Sequence, residues 1–169
     1  MAKGLPRSLS RGKAANAPVI KKQKFKFKDV AIAVAGTSGV GYGTAVIGDF
    51  PEGNILFLGA VAYAQFTTAD SDVQATFDGD YSVGTTPTAD ATLSGTDANI
   101  IASSALGAAT AGVSPNARGT GTTAAVFDNT DGSLEVNLNL IIDDANISGT
   151  GDFTAEGVVE VAYAVMLDD

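Results

Sequence analysis

Cysteine, histidine and tryptophan are all absent from this chain of 169 residues. Without cysteine there is no disulfide and no thiol nucleophile. Without histidine there is no imidazole base, so triads that use one and zinc sites of the usual kinds are excluded. A cysteine-free chain neither demands nor excludes an oxidising compartment. Charged residues make up 17%, low against a norm of about 25%. No apolar run approaches the roughly 18 residues that span a bilayer. An export signal needs about 7–15 apolar residues after its positive region, but Leu5, Leu9, Val19 and Ile20 stand singly among lysine, arginine, serine and proline. The expectation is a protein made and used without crossing a membrane.

What remains is rich in alanine, valine, isoleucine, threonine and glycine, with hydrophobic residues at 45%. Valine, isoleucine and threonine are stiff at the first side-chain torsion and suit a pleated surface. Twenty glycines, with clusters of threonine, serine, aspartate and asparagine, supply the turns between many short strands. The composition predicts an all-β chain forming one domain large enough to bury a core.

The net charge of −9 conceals a division. Lys3, Arg7, Arg11, Lys13, Lys21, Lys22, Lys24, Lys26 and Lys28 are nine of the ten basic residues, and no acid precedes Asp29. Residues 1–28 carry +9. Residues 29–169 carry −18, with Arg118 alone against nineteen carboxylates. A split this complete separates two roles along one chain.

Residues 1–20, with two prolines, spaced cations and no periodicity, have too little apolar surface to offset the entropy of ordering, so disorder is expected there. From Lys21 the pattern changes. Lys22-Gln23-Lys24-Phe25-Lys26-Phe27-Lys28 alternates polar and aromatic residues and leads into Val30, Ile32 and Val34, which is the period of an edge strand with one charged face. The organisation predicted is a basic arm over 1–24 and an acidic sandwich over 25–169. Turn signals follow every 8–12 residues, bounding strands at Tyr42–Ile47, Ile55–Phe66, Val73–Phe77, Tyr81–Val83, Thr88–Leu93, Thr122–Phe127, Leu134–Leu140 and Gly157–Leu167. Residues 95–121 break the rhythm with small residues and read as a surface excursion, with a short helix over Asn99–Thr110. About nine strands in an antiparallel β-sandwich, a jelly roll by preference, are expected.

Chemistry-bearing motifs are scarce. The glycines of Gly36–Gly43 (GTSGVGYG) have neither the G-x-G-x-x-G spacing nor a following Gly-Lys-Ser/Thr, and read as a turn. Asp70/Asp72, Asp78/Asp80, Asp128/Asp131 and Asp143/Asp144 offer oxygen ligands, but no segment matches a twelve-residue calcium loop; aspartates also favour turns by bonding nearby N–H groups. Some pair of carboxylates is always available among nineteen acids, so glycosidase chemistry is not indicated. No nucleophile–base set is recognisable, and no catalytic residue, cofactor or metal ligand is assigned. The sequon Asn146-Ile147-Ser148 has meaning only in a glycosylating compartment.

The strongest signal is therefore the basic segment, with its nine cations as candidate partner-binding residues. Three uses are open. It is a solvated tail, a nonspecific contact to nucleic acid with steep salt dependence, or a tether to an acidic protein surface, the reading preferred because opposite charge speeds encounter.

Three stretches of the body resemble jelly-roll decoration (cement) proteins on the heads of tailed bacteriophages. They are Phe50-Pro51-Glu52-Gly53-Asn54-Ile55-Leu56-Phe57-Leu58-Gly59, the run from Phe66 through Asp70-Ser71-Asp72 to Asp78-Gly79-Asp80, and the finish from Ser148-Gly149-Thr150-Gly151 through Thr154-Ala155-Glu156-Gly157 to Val161-Ala162-Tyr163. The likeness covers about residues 45–95 and 122–166 and excludes both the arm and the 95–121 segment. It implies a non-enzymatic protein on the outer face of a capsid, bound to the major capsid protein as a symmetric homo-oligomer, with a trimer as first guess. Two alternatives stand beside it: a jelly-roll coat or internal virion protein whose arm contacts nucleic acid, and a secreted calcium-dependent adhesion module.

Overall fold

The computed structural model describes residues 19–37, 40–143 and 146–166. Nine antiparallel strands follow one another: β1 (Ile20–Thr37), β2 (Val40–Asp49), β3 (Asn54–Thr67), β4 (Gly79–Gly84), β5 (Ile101–Ala105), β6 (Ala117–Thr120), β7 (Ala125–Phe127), β8 (Glu135–Ile142) and β9 (Gly151–Met166). A 3-10 turn at Gly95–Ala98 is the one helical element among the described residues.

The strands make two sheets. Sheet A has the order β1-β9-β3, with β6 and β7 both pairing the far side of β3; sheet B has the order β2-β8-β4-β5. Strand β1 belongs to both, because Ile20–Val34 pair with β9 while Ala35–Thr37 pair with β2. On the opposite side a bridge between Ile101 and Gly121 brings the edges together. Successive strands cross repeatedly between the sheets, which is the jelly-roll arrangement. The all-β sandwich expected from composition is the fold.

Alternation decides which residues meet inside. Phe25, Phe27, Ile32 and Val34 of β1 turn inward with Ile55, Phe57 and Phe66 of β3 and Val159, Val161 and Tyr163 of β9. They face Tyr81 and Val83 of β4 and Val136, Leu138, Leu140 and Ile142 of β8. Rings stack edge-on at one end, with centroids of Phe50 5.9 Å from Phe25 and 5.5 Å from Tyr163, a favoured aromatic geometry. Close packing there requires a glycine: a Cβ on Gly48 would lie 2.4 Å from the Phe25 ring. Across the core the Tyr81 hydroxyl donates to the Ala117 carbonyl at 3.3 Å, linking sheet B to sheet A. Burial pushes that phenol up to about 12.

Several expectations need correction. Residues 20–24, assigned to the arm, are strand and pair with Glu160–Ala164; residues 1–18 lie outside the described residues. The 95–121 segment is no excursion, since β5 pairs β4, β6 pairs β3, and Ile100, Ile101 and Leu106 are core. The helix over Asn99–Thr110 is absent: Ile101–Ala105 is strand, because burial of Ile101 beside β4 overrides the weak strand preference of alanine and serine. Val73–Phe77 contributes a single bridge, Val73 to Ile147, and Thr88–Leu93 forms no strand. Gly36–Gly43 is mostly strand, with Thr37 opposite Val40.

Candidate docking face

The inward Phe25 and Phe27 force Lys22, Lys24, Lys26 and Lys28 outward, since neighbours on a strand point to opposite sides. A bulge then interrupts β1 between Phe27 and Val30, with Asp29 at φ 55°, a conformation aspartate tolerates better than most residues. Lys21 falls on the opposite pleat, beside Tyr163. The Tyr163 hydroxyl donates to Gln23 Oε1 at 2.8 Å, tying β1 to β9.

Register extends this line of lysines into a face. Lys24 aligns with Glu160, Val61 and Thr120 across β9, β3 and β6, and Lys26 with Val158, Tyr63 and Arg118. Lys26 and Arg118 thus flank the sheet, three strand spacings or about 14 Å apart. Lys24 Nζ meets Glu160 Oε2 at 2.9 Å. The hydrogen bond from Lys24 and its charge, with a smaller contribution from Lys22, hold the Glu160 carboxyl below its ordinary value. Exposed pairs of this kind stabilise a fold weakly.

Two depressions open on the same face. One of about 450 Å³ lies among Lys24, Lys26, Lys28, Tyr63, Glu156 and Val158. The other, of about 200 Å³, lies among Lys22, Gly59, Val61 and Glu160. Val61 is 40% exposed and Tyr63 46%.

Of the nine candidate cations, Lys22, Lys24, Lys26 and Lys28 are brought together, Lys21 sits apart, and Lys3, Arg7, Arg11 and Lys13 lie outside the described residues. Arg118 was missed as a site residue. Its isolation among nineteen acids was visible, but only the pairing of β6 with β3 puts it on this face. Every cation among the described residues lies on β1 or β6 of sheet A, and β2, β8, β4 and β5 carry none.

In two of the four acidic turns the aspartates are engaged by N–H and hydroxyl groups. Asp70 accepts the Asp72 N–H at 2.9 Å and the Asp152 N–H at 3.1 Å. Asp128 accepts from the backbone and hydroxyl of Thr130, and Asp131 from those of Ser133. Among the described residues no group of three or more acids is placed to hold a metal ion.

No protein-family model matches the chain, and no curated protein matches it. Among solved structures, a chain in the structure of infectious bursal disease virus, Gx strain, is similar over 86% of this chain, with 12% identity and a TM-score of 0.38. This chain spans 33% of the length of that one. A likeness of that degree carries no functional argument.

Proposed function

We propose that the chain is a non-enzymatic structural protein of a virion: a jelly-roll decoration protein that docks on the outer face of a capsid by its basic side. Fold alone does not assign a function, so the reading rests on one observation, the collection of every described cation on one sheet of a strongly acidic body. The sequence resemblance to phage-head decoration proteins supports the setting. In it, residues 1–19 reach along the major capsid protein, the sandwich stands above the joint, and copies associate as a cyclic homo-oligomer, a trimer. Binding to the assembled shell and not to its separated subunits stabilises the shell by mass action. Repetition over a lattice adds avidity, so each contact can be modest.

The test is co-sedimentation with empty shells of the virus that carries the gene. Removing residues 1–19 should weaken attachment at least tenfold at physiological salt and leave the melting temperature of the sandwich unchanged. Undiminished attachment of the truncated chain in dilute buffer would remove residues 1–19 from the reading, and failure of the full chain to co-sediment would overturn it.

A further inference from the structure

We infer that the outer face of sheet A is itself a docking surface, and that its partner is a protein surface presenting carboxylates around apolar side chains. The inference deepens the proposed function and rests on its premise that the basic side meets a partner. The solvent side of an antiparallel sheet is ordinarily polar. Here it carries Val61, Tyr63 and Val158 at its centre, with lysines along β1 and Arg118 on β6. An apolar centre inside a charged rim is the composition of an interface.

Charge selects the occupant. Around the two depressions five cations, Lys22, Lys24, Lys26, Lys28 and Arg118, meet two carboxylates, Glu156 and Glu160, while Asp29 sits in the β1 bulge and Asp152 lies beyond it on β9. A two-fold pairing of this face with itself opposes like charges, so a second copy bound that way is disfavoured. A nucleic-acid backbone carries charge at every residue, and a track along the lysines would meet Glu156 and Glu160 on β9, one strand or about 5 Å away. A protein surface can place a carboxylate over each lysine and a donor or apolar group over β9. The larger depression suits such a side chain: its methylenes would lie along Tyr63 and Val158, and its carboxylate would reach the ammonium groups of Lys24, Lys26 and Lys28. Tyr63 and Arg118 then set specificity beyond bare charge.

The experiment compares shell binding of the full chain, the chain lacking residues 1–19, Lys26→Glu with Arg118→Glu, and Tyr63→Ala, with melting temperatures confirming that each folds. The double reversal should lower affinity by about tenfold or more, and Tyr63→Ala by severalfold. Poly-L-glutamate should compete for the face and a single-stranded oligonucleotide should not. If the face variants bind within twofold of the parent while loss of residues 1–19 abolishes binding, the inference fails and the proposed function survives. If no variant matters, both fail. Stronger competition by the oligonucleotide would identify a nucleic-acid surface and overturn the inference. So would face variants that alter only concentration-dependent self-association, which would identify a second copy.

Discussion

Among the described residues, sheet B hides much of its outer surface under its own chain, whereas sheet A leaves Val61, Tyr63 and the lysines of β1 exposed. Strand β8 is buried on both sides from Val136 to Ile142. Its outer residue Asn139 accepts the Thr88 N–H at 2.9 Å and donates to the carbonyls of Thr86 and Asp97 at 3.1 and 2.8 Å, clamping residues 86–97 over the sheet. Among the described residues nothing comparable covers Val61, Tyr63 or the lysines of β1. The difference teaches that one sheet of this sandwich carries more of the internal polar bonding, while the other holds surface side chains whose partners lie elsewhere. Such a division separates stability from docking, and substitutions can attack either one alone.

The largest expected effect falls on the covered side. Asn139→Ala removes three hydrogen bonds and strands buried backbone groups, so it should cost about 3 kcal/mol in unfolding free energy, measured by urea denaturation. Any fraction still folded should dock normally. A loss under about 1 kcal/mol would mean that the clamp contributes little. On the bare side the expectation reverses. Lys22→Glu with Lys26→Glu should weaken attachment to shells by about thirtyfold, or about 2 kcal/mol of binding. Both lysines are exposed, so stability should move by less than about 0.5 kcal/mol. Equal changes in docking and stability would break the division.

Half of this division was legible in the sequence. Alternation through Lys22–Lys28 fixes which side of β1 is charged, and period-two patterns reveal β3, β8 and β9 because large apolar residues mark their inner faces. The covered side was not legible. Thr88–Leu93 reads as a strand by local pattern, yet Thr88 gives its N–H to Asn139, fifty-one residues away. Ile101–Ala105 and Ala117–Thr120 are built largely of small residues with weak strand preference, and only pairing with β4 and β3 makes them strands. Arg118 shows the same limit, because its place opposite Tyr63 depends on register between distant segments.

The aspartates of the connecting segments divide by acidity as well, though not sheet by sheet. Asp70, Asp128 and Asp131 are held below the ordinary aspartate value, Asp70 and Asp128 chiefly by backbone N–H groups and Asp131 chiefly by the Ser133 hydroxyl. Depressed carboxylates contribute stability above the unfolded value that is lost as pH falls through their folded values. Asp97, in the cover of sheet B, and Asp143 are raised, chiefly by burial. A raised carboxylate takes up its proton first in the folded state, so its effect reverses: stability grows as pH falls from its folded value toward 3.8. Together they give a shallow stability maximum just above that pH and a decline below it. In Asp97→Asn the rise toward the maximum should shrink while the acid decline persists, as read from melting temperature against pH. An unchanged rise would remove Asp97 from the account.

The smallest effect belongs at the rim, where neither sheet's outer surface is involved. Thr110 and Val113 exchange backbone hydrogen bonds around a two-residue turn, with Ala111 at φ 52° and Gly112 at φ 77°. Positive φ at both central positions is the type I′ geometry, which favours asparagine followed by glycine. An alanine there bears a steric cost that asparagine reduces through its tolerance of the left-handed region. Ala111 is exposed, so Ala111→Asn meets no packing obstacle and should raise stability by about 0.5 kcal/mol. A melting curve should show the gain, and shell binding should not change. Weaker binding by this variant would place part of the docking surface on the rim and narrow the role of sheet A.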